Sequence, residues 1–220
     1  MIQAYCIKSV PPDKRGVGSS AYYIGLDVGN LAGPVIAGNV AGAVGYQLMW
    51  DVYERCEQMK GFTCVCQNPD MKEQEREEFL KKFEQERAHS LIGFCVMGGI
   101  FSEGIDLTED KLIGAMIIGT GLPQVCLERE LLKYYFDRKN LNGFDYAYLY
   151  PGMNKVLQSA GRVIRTDQDR GVIALLDERF MDRRCQEVFP REWNDFQICN
   201  SENIEEKIAG FWKEEQMDKR

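Results

Sequence analysis

Histidine is nearly absent from this 220-residue chain, where His89 is the only one. Eight cysteines, at 6, 56, 64, 66, 95, 126, 185 and 199, form no repeated CxxC, so the ligand sets of structural zinc sites cannot be assembled from close pairs. Cys64 and Cys66 are the single close pair. Neither zinc nor an iron–sulfur cluster is expected in this chain, and reduced thiols in a cytoplasmic protein are the simplest account. An excess of positive charge is missing too: 27 Lys and Arg stand against 34 Asp and Glu, a net charge of −7. That excludes a general polyanion binder while leaving room for a local cationic groove. The N-terminal MIQAYCIKSV lacks the basic and apolar regions of a secretory signal. His89 follows a charged helical pattern and reads as a surface or helix-end residue rather than a catalyst.

Hydrophobic residues make up 45% of the chain, ample for a packed core. From residue 46 onward helical stripes and apolar runs alternate. YQLMWDVYERCEQM (46–59), MKEQEREEFLKKFEQERAHS (71–90), LERELLKYYFDR (127–138) and SENIEEKIAGFWKEEQ (201–216) read as helices, the last with Ser201 as N-cap. FTCVCQ (62–67), LIGFCVM (91–97), LIGAMIIG (112–119) and GVIALLD (171–177) read as strands, the last three as solid apolar runs of the kind buried on both faces. This alternation predicts an α/β domain, doubly wound around a mainly parallel sheet with helices on both faces. Residues 1–45 differ. No charge occurs between Asp27 and Asp51, and Gly25, Gly29, Gly33, Gly38, Gly42 and Gly45 punctuate the stretch. Pro34, Asn39 and Gln47 with so many glycines make it a poor membrane span, so no membrane association is expected. The division expected is a loosely packed leader over 1–45, adding little to the core, and a folded domain over 46–220.

Three segments carry chemistry in chain order: CVMGGIFSEGIDL (95–107), IIGTGLP (117–123) and QSAGRVIRTDQDRGVIALLDERF (158–180). Gly98-Gly99 ends an apolar run, exposing bare backbone at the C-terminal edge of a strand, the usual binding edge of open α/β sheets. Ser102, Glu103, Gly104 and Asp106 add a hydroxyl, two carboxylates and a second backbone opening. Alone, that loop reads equally well as a tight turn capped by Asp106. Gln158, Arg162 and Arg165 fall at i, i+4 and i+7 of a helix and so share one face. A stripe of two arginines is most often a solvated face. Guanidinium groups nevertheless stay charged and present a fork of donors, which suits phosphate oxygens. Lys155, nearly one turn before Gln158, is expected to tolerate replacement.

From about Tyr46 to Lys213 these segments resemble the C-terminal half of a superfamily 2 ATP-dependent DNA helicase of the DinG/XPD type. GGIFSEGIDL is similar to that family's motif V, and QSAGRVIRTDQDRGVIALLDERF to its motif VI with the following strand. The resemblance implies a RecA-like fold of the P-loop NTPase type. It implies that Arg162 and Arg165 are catalytic arginine fingers reaching the γ-phosphate of ATP held on a partner RecA-like domain, with Gln158 sensing that phosphate. Glu103, Gly104 and Asp106 would line the nucleotide cleft beside them, and Gly98, Gly99 and Ser102 would couple the cleft to single-stranded DNA. Gly161 would let the motif VI helix pack closely. ATP and Mg2+ would be bound mainly by a first motor domain, in cis or in trans, and the family's iron–sulfur cysteines belong to that domain.

The chain also departs from the pattern. GxxxxGK[ST] does not occur, DKRGVGSS (13–20) is only an echo of it, and no DEAH-like acid box is present. Half an active site is therefore expected, without turnover by the chain alone. The rival reading is a non-catalytic RecA-like fragment that binds nucleic acid or a partner protein. A small-molecule α/β enzyme finds no general base in these loops beyond Glu103 and Asp106. Where an apolar motif IV strand should precede the helix at 46, GNVAGAVG stands instead, as truncation or a shifted reading frame upstream would leave it.

Overall fold

A computed structural model of the chain describes residues 2–7, 22–26, 39–59, 61–85, 89–101, 107, 111–166 and 169–218. Seven strands form one sheet: β1 (Ile2–Ile7), β2 (Tyr22–Leu26), β3 (Phe62–Cys66), β4 (Ser90–Val96), β5 (Gly114–Ile118), β6 (Gly171–Leu176) and β7 (Gln197–Cys199). Their spatial order is β3-β4-β2-β5-β6-β1-β7, and every pairing is parallel. The helices are α1 (Asn39–Glu57), α2 (Glu73–Glu84), α3 (Leu127–Asp137), α4 (Tyr150–Ala160), the short α5 (Arg183–Gln186) and α6 (Ile204–Asp218). A π-turn, Asp145–Leu149, leads directly into α4.

Strand side chains alternate between two layers, as period-2 geometry requires. Leu91, Cys95, Ala115, Ile117, Ile173 and Leu175 join one cluster with Phe79 and Phe83 of α2 and Met153, Val156 and Ala160 of α4. Their neighbours Ile92, Phe94, Val96 and Ile118 face Met49 and Cys56 of α1, while Val172 and Ala174 face Phe211 of α6. Both faces are covered, which explains why β4, β5 and β6 read as continuous apolar runs. The expected α/β, doubly wound class is the observed one.

The leader departs from expectation. Tyr22–Leu26 lies between β4 and β5, with Leu26 opposite both Val96 and Ile118, and Ile2–Ile7 lies between β6 and β7. Two segments read as peripheral thus pair as interior strands. YYIGL and IQAYCI are short runs rich in aromatic and β-branched residues, and pairing on both sides outweighs one glycine. GNVAGAVG leaves no gap in the sheet: from Asn39 it winds the first turns of α1, and β2 precedes that helix. Three smaller differences follow from local hydrogen bonding. β7 was not anticipated, its three residues being too short to show a pattern. The entry to α6 is built on Asn200, whose side chain accepts from the Glu202 and Asn203 backbones, rather than on Ser201. His89 lies in a bend before β4, exposed and outside α2.

Candidate functional site

The Gln158, Arg162, Arg165 segment is not one helical face. α4 ends at Ala160: Gly161 N–H still donates to the Leu157 carbonyl, but Arg162 and Val163 donate to Ser159 and Ala160, tightening the last turn. Gln158 is therefore on the final helical turn and exposed, Arg162 sits half-buried in the turn beyond, and Arg165 is exposed in the irregular stretch that follows. Two anchors hold this loop. Val163 is 2% exposed and rests on Gly171, where a Cβ would collide with its Cγ1 and lie 2.8 Å from the Ile113 carbonyl oxygen. Asp169, also buried, accepts from the Arg165 and Thr166 backbone N–H groups at 2.7 Å each. The polar loop thus keeps a fixed backbone while its arginines stay at or near the surface.

Gly161 does not serve close packing. Among the described residues a Cβ there would meet only backbone oxygens of its own helix, Leu157 at 3.1 Å and Gln158 at 3.9 Å, and the residue ends α4. Close approach belongs to Gly152 and Gly121. A Cβ at Gly121 would stand 2.5 Å from the Gly152 carbonyl oxygen, and one at Gly152 would stand 2.7 Å from that of Thr120. Here the loop after β5 crosses the first turn of α4, and Gly121 adopts φ +69° to do so.

Gly98 and Gly99 follow β4 at the opposite edge of the sheet. Leu26 pairs with Val96 and Ile118 at the strands' C-terminal ends, whereas the arginine loop enters β6 at Gly171, beside the start of β5. A five-residue strand spans roughly 16 Å, which sets the scale of the separation along the strands. Gly98 is exposed at φ +74°, and the Gly99 N–H returns to the Val96 carbonyl. Gln67 and Arg76, two side chains that sequence reasoning missed, fix this turn. Gln67, fully buried, accepts from the Val96 N–H and donates to the Tyr46 hydroxyl. Burial is the main cause that pushes the Tyr46 hydroxyl above its ordinary pKa. Arg76 of α2 donates to the Ile100 carbonyl at 2.7 Å. The Lys155 chain of α4 lies against Gly98, its Cε 3.6 Å from where a Cβ would be. A polar residue directly after an apolar strand, as Gln67 is, was the one signal available.

Ser102, Glu103, Gly104 and Asp106 lie outside the described residues. Of the nine residues singled out, the structure therefore places Gln158, Arg162 and Arg165 together at one edge and Gly98 and Gly99 at the other. Among the described residues no group of three or more His, Cys, Asp or Glu could hold a metal ion. The Cys64 and Cys66 thiols are pushed to about 12, first by burial. No described helix is long and apolar enough to cross a membrane.

Comparison with known proteins gives this geometry a context. The family model described as "Helicase C-terminal domain" matches residues 42–196. The chain is 33% identical over 137 residues to the regulator of telomere elongation helicase 1 homolog of Caenorhabditis briggsae, covering 57% of this chain and 14% of that protein. It is 38% identical over 88 residues to the ATP-dependent DNA helicase DinG of Photobacterium profundum, covering 39% and 13%. The chain spans about one seventh of the length of these curated relatives. A solved structure described as XPD_Helicase superposes with a TM-score of 0.49 at 18% identity, over 83% of this chain and 36% of that one.

Proposed function

This chain belongs to the helicase C-terminal domain family, of the DinG/XPD type, and we propose that it is the second RecA-like motor unit of an ATP-dependent DNA helicase. In this reading the unit runs from about residue 46, and residues 1–45 lend it strands. ATP is the substrate, held with Mg2+ mainly by a first motor domain. Arg162 and Arg165 meet the transferring phosphoryl group, Gln158 registers its presence, and Glu103, Gly104 and Asp106 line the cleft.

The observation that carries the proposal is the Arg162–Arg165 loop, with its backbone fixed by Val163 and Asp169 and Arg165 exposed at its end. A fixed cationic loop suits stabilisation of charge that grows during the reaction, because little reorganisation is then needed. In related phosphoryl transfers an arginine finger is worth about 10³ to 10⁵ in rate. The described residues offer no carboxylate cluster for Mg2+. Gly98 and Gly99, with Ser102, are assigned to single-stranded DNA, and α4 spans the two edges: its Lys155 touches Gly98 and its end carries Gln158.

The test is ATP hydrolysis by the purified chain, alone and with a first motor domain of a DinG-type helicase supplied in trans. Background turnover alone and DNA-stimulated turnover with the partner are expected. Failure of the added domain to gain any activity, with DNA binding intact, would favour a non-catalytic module that binds nucleic acid without turnover.

A further inference from the structure

A cavity of about 470 Å³ opens at the C-terminal edge of the sheet between the loop after β5 and the segment after β6. Leu122, Pro123, Phe144 and Leu149 line it as apolar walls, and Lys133, Arg179 and Arg184 lie around it. Each cation is held by a carboxylate: Lys133 by Glu130 at 3.7 Å, Arg179 by Asp177 at 2.5 Å and Arg184 by Asp182 at 3.2 Å. The π-turn contributes Tyr148 and Leu149, and Arg129 of α3 donates to its Ala147 carbonyl. Such turns within helices are frequent at functional sites. Tyr148 is stacked with Phe144 and held by its hydroxyl's hydrogen bond to Glu130 at 2.6 Å. Thr120, 1% exposed, is part of the wall, and its hydroxyl finds no hydrogen-bond partner among the described residues. A buried hydroxyl without a partner is unfavourable, and a ligand that supplies one removes the cost.

The volume suits a small flat ligand, since binding clefts of this kind run from about 300 to 1,000 Å³. Apolar walls with aromatic faces suit a heteroaromatic ring, and fixed cations beside them suit phosphate. The crevice beyond the C-terminal ends of parallel strands is where open α/β sheets bind ligands. The β5 loop beside it packs against α4 where Gly121 meets Gly152, one turn from the Lys155 that lies against Gly98.

We propose that this cavity receives one unstacked base of single-stranded DNA, with the flanking phosphates on Lys133, Arg179 and Arg184. The assignment rests on the DNA-motor reading above and adds a base-binding subsite on this domain. Because a free nucleotide offers the same ring and phosphate, the test must separate the two sources.

Fluorescence anisotropy of a labelled 12-mer oligothymidylate binding to the full chain does so when three ligands are compared: the intact strand, a strand with central abasic sites, and thymidine monophosphate as competitor. Val125 lines the cavity but is 67% exposed, so Val125→Trp narrows it without touching the core. The expected pattern is about tenfold weaker binding of the abasic strand, the scale of one lost base stack. Val125→Trp should weaken the intact strand by a similar factor and leave the abasic strand unchanged, and the isosteric Thr120→Val should follow in the same direction. Thymidine monophosphate competing as strongly as the strand would overturn the assignment in favour of a free nucleotide. Strand binding that ignores both abasic sites and Val125→Trp would overturn the subsite alone. No strand binding at all would remove the DNA-motor reading with it.

Discussion

At the residue scale the balance between burial and pairing makes Asp145 informative. Its side chain is nearly buried, its Oδ1 has no hydrogen-bond partner among the described residues, and the Arg184 guanidinium is 3.6 Å away, beyond hydrogen-bond reach. Burial raises its carboxyl above the ordinary 3.8, outweighing the opposing pull of Arg184. The folded state therefore holds that proton more tightly than the unfolded chain does. Its contribution to stability is full below the ordinary value and lost as pH rises through the raised one. Asp145→Asn, which stays neutral, should accordingly be more stable than the parent at pH 7, with the gain shrinking toward pH 4. Urea midpoints at the two pH values check this, and a pH-independent difference would contradict it. Nothing in the sequence marked Asp145, because its cost arises where the π-turn meets Arg184 of the segment after β6. Asp169 was closer to legible, since an aspartate four residues after Arg165 in a Gly-bounded polar loop is the pattern of a side chain that binds its own backbone.

At the scale of elements, β3 to β6 and α1 to α4 could be read from periodicity because each is longer than its pattern's repeat and has one environment. What could not be read was where α4 ends. Gln158, Arg162 and Arg165 fit a helical spacing perfectly well on paper, but the chain leaves the helix at Gly161, and beyond it the Arg165 and Thr166 N–H groups turn to Asp169 instead of to helical carbonyls. The same misreading gave Gly161 the packing role that belongs to Gly152. Gly152→Ala would drive a methyl into the Thr120 carbonyl and is expected to cost about 1–3 kcal/mol, the usual price of overpacking. Gly161→Ala, at φ −66° on an exposed turn, should change stability by less than about 0.5 kcal/mol. Thermal or denaturant melts of the two variants rank them, and equal losses would mean that the crossing of α4 over the β5 loop is not tight.

For the whole molecule, the sheet order decides what the leader does. With β2 between β4 and β5 and β1 between β6 and β7, removing residues 1–45 separates pairs of strands that have no other link in the sheet. Ile173→Ala, at a 2% exposed core site, is expected to cost about 2–5 kcal/mol. Deletion of 1–45 should cost more than that and blunt the cooperativity of unfolding, and a milder loss on denaturant melting would show the two strands to be dispensable. The leader was misjudged because its Gly-rich composition describes residues 25–45, whereas two short β-prone runs decide the pairing. In the proposed function the loop at one edge of this sheet completes an ATP site built by another domain. With a first motor domain supplied, the steady-state ATPase of Arg162→Lys and Arg165→Lys measures it most directly, because lysine keeps the charge and loses the planar fork. Arg183→Lys, at a 90% exposed surface pair with Glu187, is the control. A large fall in kcat is expected for both loop variants with little change in ATP affinity, and no change for the control. Parent-level kcat in both loop variants would contradict it.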